Sequence, residues 1–186
     1  MEDLLRAIED HQQTVEAFKR ALPVLERVIA KLTGTLRQGG RIYVLGNGGS
    51  AADAQHIAGE LLGRFKRERR PLPVMALTTD TSTLTAVVND LGADHMFARQ
   101  VEGLVTERDC LWVLTVSGTS PNVISAVEAA RRQRAAVIGF TGRSGGRIVE
   151  LCDECLRVDH TASDRVQEVH ELAYHLVCER VEAACS

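Results

Sequence analysis

The sequence predicts an α/β fold: a doubly wound sheet of about five parallel strands flanked by helices, with an N-terminal helical arm. Three observations predict it. Residues 1–38 carry apolar side chains at three- and four-residue steps, with no strand-like run among them. From Arg41 onward, short β-branched runs alternate with helical patterns. A glycine-rich turn then joins the first of those runs directly to a helical segment. The length of 186 residues suits a single domain spanning residues 1–186. Contents of 45% hydrophobic and 25% charged residues are ordinary globular values, which excludes disorder and collagen.

The arm, residues 1–38, reads as helix from Leu4, Leu5, Ile8, Val15, Phe18, Leu22, Leu25, Ile29 and Leu32, with a break expected near Pro23. Strands are expected at Arg41–Leu45, Val74–Leu77, Cys110–Thr115, Ala135–Phe140 and Glu154–Val158. Helices are expected between them at about Ser50–Lys66, Ser82–Asn89, His95–Thr106, Pro121–Gln133 and Gly146–Cys152, with a last one over Ala162–Ala184. No internal repeat or linker divides the chain.

Charge and cysteine usage narrow the function classes. Lysines and arginines number 22 against 25 acids, a net charge of −3, with no long run of one sign, which disfavours broad binding to nucleic acid. No apolar run approaches the roughly 20 residues of a membrane-spanning helix, so no membrane role is expected. The five cysteines are an odd number, and Met1 is followed by Glu2 and Asp3 instead of a basic then apolar signal. A cytoplasmic protein is expected.

In an open parallel sheet, ligands bind beyond the carboxyl ends of the strands, which directs attention to the loops after the first and third strands. After Leu45 comes Gly46-Asn47-Gly48-Gly49-Ser50, a turn whose backbone amides can approach an anion at a helix N-terminus. The same glycines could simply relieve a tight turn. They also match a dinucleotide fingerprint through Gly46, Gly48 and Ala51, with Asp80 as the ribose-binding acid, although Asp80 lies farther along the chain than that motif expects.

The third strand ends in Thr115-Val116-Ser117-Gly118-Thr119-Ser120-Pro121-Asn122. Ser120 can cap the next helix and Pro121 suits its first turn. Capping leaves Thr115, Ser117 and Thr119 without a reason, whereas a phosphate needs several short donors. Two cradles on adjacent loops favour a phosphorylated small molecule over a dinucleotide.

His56 and Glu60 are four residues apart on one helix face, a spacing suited to a metal, to proton transfer, or to a plain surface pair. On the last helix, Val166, Val169, Ala173, Leu176 and Val177 form an apolar stripe, and Gln167, Glu171 and His175 form a separate polar one. Periodicity alone leaves Gln167 and His175 in solvent and puts His170 at the apolar border. Cys152-Asp153-Glu154-Cys155 is a lone C-x-x-C, read as packing of buried cysteines rather than a redox or zinc site. The cluster Arg64, Lys66, Arg67, Arg69 and Arg70 reads as a solvated helix end, with an arginine facing a phosphosugar as the alternative.

Taken together, the Gly46–Ser50 loop, Asp53-Ala54-Gln55-His56-Ile57-Ala58-Gly59-Glu60-Leu61, Asn89-Asp90, Ser117-Gly118-Thr119-Ser120, Gln167-Glu168-Val169-His170 and His175 resemble the sugar isomerase (SIS) domain family and its phosphoheptose isomerase branch. The likeness covers nearly the whole chain. It implies the SIS fold and an aldose-ketose isomerase that interconverts sedoheptulose 7-phosphate and D-glycero-D-manno-heptose 7-phosphate through an enediol, in heptose precursor synthesis for lipopolysaccharide or another glycan. Also implied are a homotetramer with active sites between subunits and one zinc per site, held by His56, Glu60, Gln167 and His175. Sugar-phosphate contacts are implied for Asn47, Gly48, Gly49, Glu60, Asn89, Asp90, Thr115, Ser117, Ser120 and Gln167. Glu60 and His175 are implied as the catalytic base and acid, and the polar stripe of the last helix would face a neighbour's active site.

One departure stands out. The family's Ser-Thr-Ser before the glycine is Thr115-Val116-Ser117 here, so Val116 brings no hydroxyl. A non-catalytic branch, similar in fold, binds the replication initiator and lacks parts of the His/Glu and Gln/His set. It is the alternative reading, with a nicotinamide-dependent oxidoreductase third.

Overall fold

The computed structural model describes all 186 residues. Helix α1 (Glu2–Phe18) passes through a tight 3-10 turn at Lys19–Ala21 into α2 (Leu22–Arg37). The break therefore falls just before Pro23, which occupies the first turn of α2, where a missing N–H costs nothing. The remaining elements are β1 (Ile42–Gly46), α3 (Gly49–Leu62), β2 (Val74–Ala76), α4 (Thr81–Leu91), α5 (Ala98–Leu104), β3 (Cys110–Leu114), α6 (Pro121–Arg132), β4 (Ala136–Thr141), α7 (Ile148–Leu151), β5 (Glu154–Arg157) and α8 (Ser163–Cys185).

All five strands are parallel, in the order β2-β1-β3-β4-β5. Every residue of the central strands β1 and β3 is buried, as expected for a sheet covered on both faces. Alternation along β1 sends Ile42 and Val44 into a larger core with α1, α2, α3 and α8, and Tyr43 and Leu45 into a smaller one with α5 and α6. Trp112, fully buried on β3, meets Phe140 of β4 edge to face at 5.1 Å in the larger core.

Three helices are shorter than the sequence suggests. Helix α3 stops at Leu62, so the basic cluster lies in the loop that follows it and not on a helix end. Its side chains are not simply solvated: Lys66 pairs with Glu179, and the Arg69 side chain is buried against Glu182. Helix α5 begins only at Ala98, after a 3-10 turn at Ala93–His95. Helix α7 is a single turn because Gly145 and Gly146 adopt φ of 70° and 55°, bringing the Gly146 backbone against Gly118, where a Cβ would fall 2.4 Å from a backbone carbon.

Cys152 and Cys155 are free and half-buried over Gly139, where a Cβ would lie 2.7 Å and 3.3 Å from the two sulfurs. No helix is long and apolar enough to cross a membrane.

Candidate active site

The strand order reverses between β1 and β3, and in this topology the crevice at that reversal is where ligands bind. Both loops singled out by the sequence open there. Gly46 ends β1 so close to α3 that a Cβ would sit 2.6 Å from Ser50 Cβ and 2.7 Å from the Leu114 carbonyl oxygen. Gly48 takes φ 56° as the residue before α3, a conformation that favours glycine. The Ser50 and Ala51 amides donate to the Asn47 and Gly48 carbonyls at 3.0 Å, which leaves the Gly48 and Gly49 amides without a backbone partner at the start of α3. Across it, the Asn47 and Asn122 side-chain amides bond each other reciprocally, both at 2.9 Å, tying the loop after β1 to the start of α6.

The hydroxyl loop after β3 is used differently from the sequence expectation. Ser120 is the N-cap residue of α6, but its hydroxyl makes no capping bond. Thr115 Oγ1 instead accepts from the Gly118 amide at 3.3 Å, and Ser117 Oγ accepts from the Thr119 amide at 3.2 Å and from its hydroxyl at 3.1 Å. Val116, which brings no hydroxyl, packs on the larger core. Asp80 is spent on local structure: it caps α4 through the Thr83 hydroxyl at 2.6 Å and amide at 3.1 Å, contacts that hold its carboxyl below the usual range.

The polar stripe of α8 lies against α3 of the same chain. A Cβ on Gly49 would fall between 2.2 Å and 2.6 Å from the Gln167 amide group, so that amide rests directly on the glycine loop. Gln167 Nε2 donates to Asp53 Oδ1 at 3.3 Å. Both Gln167 and His175 are therefore half-buried, against the solvent exposure that periodicity suggests. Within one subunit the contacts of this stripe are with α3, and its Glu171 is exposed.

One turn along α3, His56 Nε2 lies 3.1 Å from Glu60 Oε1, and His56 Nδ1 lies 2.8 Å from the Tyr174 hydroxyl. His175 packs edge to face on His56 with ring centroids 4.9 Å apart, and its other side stacks on Phe65 at 5.7 Å with 16° between the rings. Ligand atoms of His56, Glu171 and His175 all come within 4.8 Å of one another. Asp53, Glu60 and Glu171 give the site an excess of negative charge. Burial pushes the Asp53 carboxyl up to about 6, against the Gln167 hydrogen bond, and its Oδ2 is buried with no partner. Tyr174 is pushed well above its ordinary value by burial and by the charges of Glu171 and Asp53, so its hydroxyl keeps its proton.

Nitrogen and oxygen donors converging with surplus negative charge and an orphaned buried carboxylate oxygen suit a divalent cation such as zinc. Of the expected ligand set, His56 and His175 converge, with Glu171 as the third donor, while Glu60 contacts His56 alone among them. Gln167 is beside them, held by Asp53, and Glu171 adds a carboxylate.

Asn89 and Asp90 are not brought to this group. They lie at the far end of α4, roughly 12 Å along the helix from its start, and their side chains bond each other at 2.7 Å. Sequence reasoning missed Asp53, Tyr174, Phe65 and Asn122 as site residues. Asp53 carried a signal, since it lies three residues before His56 on the same helix face. The other three depend on contacts between distant segments.

A SIS domain model matches residues 8–142. The chain is 49% identical to the phosphoheptose isomerase of Rhodospirillum rubrum over 190 aligned positions, covering all of both chains. Among solved structures it is similar to the phosphoheptose isomerases of Neisseria gonorrhoeae (TM-score 0.93, 37% identity, 98% of each chain) and Francisella tularensis (TM-score 0.95, 37% identity, 98% and 97%). The switch-point crevice, the glycine loop and the His/Glu cluster thus sit on a scaffold shared end to end, and the chain belongs to the SIS domain family, within its phosphoheptose isomerases.

Proposed function

We propose that the protein interconverts sedoheptulose 7-phosphate and D-glycero-D-manno-heptose 7-phosphate, supplying a heptose precursor in the cytoplasm. The observation that carries this reading is the meeting of Glu60 and His175, from two helices, on His56, along the helix that starts at the glycine loop. A ketose-aldose shift moves one proton between neighbouring carbons and another between their oxygens, with negative charge developing on an enediolate.

Glu60 takes the carbon-bound proton and returns it to the adjacent carbon. His175, its ring clamped between His56 and Phe65, moves the proton between the oxygens. The phosphate lies at the N-termini of α3 and α6, on amides of Gly48 and Gly49 and hydroxyls of Ser117 and Ser120, with Asn47 and Thr115 shaping the pocket. A zinc held by His56, Gln167 and His175 with Glu60 or Glu171 would polarise the substrate carbonyl. Glu171 matters here, because Glu60 cannot be a tight ligand and a free base at once. Asn89 and Asp90 would reach the sugar from a neighbouring subunit of a homotetramer.

A coupled assay across C5 to C7 ketose phosphates, with zinc measured in the same preparation, tests the proposal. Sedoheptulose 7-phosphate should be turned over fastest, with about one zinc per chain and loss of rate on chelation. Turnover of none of these sugars would overturn the function, and zinc-free protein insensitive to chelators would remove the metal from it.

A further inference from the structure

Glu182 and Arg69 form a buried ion pair outside the active site that the proposed chemistry does not use. Each side chain is 1% exposed, and Arg69 Nε lies 3.2 Å from Glu182 Oε1. Burying two charges is costly and seldom adds net stability, so a pair kept in this state invites a reason other than stability. Its surroundings supply one. The Glu182 carboxylate accepts three successive backbone amides of the loop after α3: Phe65 at 2.9 Å, Lys66 at 2.7 Å and Arg67 at 3.1 Å. Burial pushes its carboxyl up, but those amides and the Arg69 charge outweigh this and hold it below its ordinary value. Arg69 in turn donates to the carbonyls of Glu60 at 2.9 Å, Gly63 at 2.9 Å and Arg70 at 3.1 Å.

Both ends of the proposed acid/base pair are reached. Arg69 holds the backbone of Glu60 itself at the last turn of α3, where a cation also complements the helix dipole. Glu182 lies seven residues after His175 on α8, two turns along the same face, and it fixes the segment carrying Phe65, whose ring stacks on His175. We infer that the Arg69–Glu182 pair is a latch that positions Glu60 and His175 for proton transfer by locking the end of α3, the Phe65 loop and α8 into one geometry. The inference rests on the acid/base reading above and deepens it. Neither residue touches substrate; both are positioning residues.

The test compares wild type, Arg69→Lys, Glu182→Gln and the double variant Arg69→Met/Glu182→Leu, which removes both buried charges together and avoids leaving one unpaired. Kinetics with sedoheptulose 7-phosphate are paired with the NMR signals of labelled histidine rings, because the Phe65 stack imposes a ring-current shift on His175. The latch predicts that the double variant folds, keeps KM within about threefold and loses kcat by about 10 to 10²-fold, as a small misplacement of catalytic groups does. Its His175 signal should lose the shift, and Arg69→Lys should recover part of both effects.

In a Glu60→Gln background the latch substitutions should cost little more, since groups acting as a unit are not additive. Should the double variant not fold, Glu182→Gln, which keeps an acceptor for the loop amides, carries the same comparison. Wild-type kcat together with a wild-type His175 signal in a folded latch variant would overturn the inference while leaving the base assignment intact. Wild-type turnover by Glu60→Gln alone would instead overturn the base assignment.

Discussion

Tyr174, His56 and Glu60 form a short chain of polar contacts in which each proton has few places to go. A carboxylate only accepts, so while Glu60 is paired, His56 donates from Nε2 and accepts a hydrogen bond from the Tyr174 hydroxyl at Nδ1. A metal held by His56 through Nε2 would leave Nδ1 as the donor, with the Tyr174 oxygen accepting. His170, although neighbouring the polar stripe, belongs to the core. It is fully buried, donates from Nε2 to the Thr141 carbonyl at 3.3 Å, and is pushed by burial down to about 4. The unfolded chain binds a proton at His170 near pH 6.5 and the folded chain only near 4, so this residue removes stability as pH falls through that window. Asp53 acts in the opposite sense, since its raised value lets the folded chain take a proton first as pH falls through about 6. In metal-free protein, the urea midpoint of His170→Gln should therefore fall less between pH 6.5 and 4 than that of wild type. Equal slopes would contradict the buried neutral ring.

The glycine loop and α8 show what local sequence can and cannot say. Gly46–Ser50, the His56/Glu60 spacing and the five strands are local signals, and each stands within a few residues of where the sequence puts it. The burial of Gln167 and His175 was illegible because a second polar stripe on a helix says nothing about which element will cover it. Here α3 does, through the bare Cα of Gly49. Gly49→Ala should push the Gln167 amide off Asp53 with little loss of stability, because the colliding atoms end a flexible side chain. Zinc affinity should weaken by about tenfold, the usual effect of disturbing a supporting contact at a metal site. Unchanged affinity by competition titration would show that Gln167 has no part in the metal site. The Arg69–Glu182 latch was unreadable for a similar reason, since the basic cluster gives no hint that one of its arginines turns inward.

Across the whole chain, three strongly exposed apolar side chains cluster on α1: Leu4 at 67%, Leu5 at 53% and Ile8 at 55%. Leu22 of α2 and Leu176 of α8 are also exposed, on the side of the sheet that carries the larger core. Such a surface suits contact with further copies, as does the distance of Asn89 and Asp90 from the site in one subunit. Light scattering should give a mass near four chains, and a stable monomer with full activity would contradict the shared site.

The central claim is that Glu60 moves a carbon-bound proton, and one comparison addresses it directly: isomerisation of sedoheptulose 7-phosphate by wild type and Glu60→Gln, with calorimetric binding of the same sugar to both. Glutamine keeps the size and the hydrogen bonding but cannot act as the base. Turnover should fall by about 10² to 10⁴-fold with binding largely retained. Equal turnover by the two proteins would contradict the assignment of Glu60, and a wild type that binds the sugar without isomerising it would make the protein a phosphosugar-binding module.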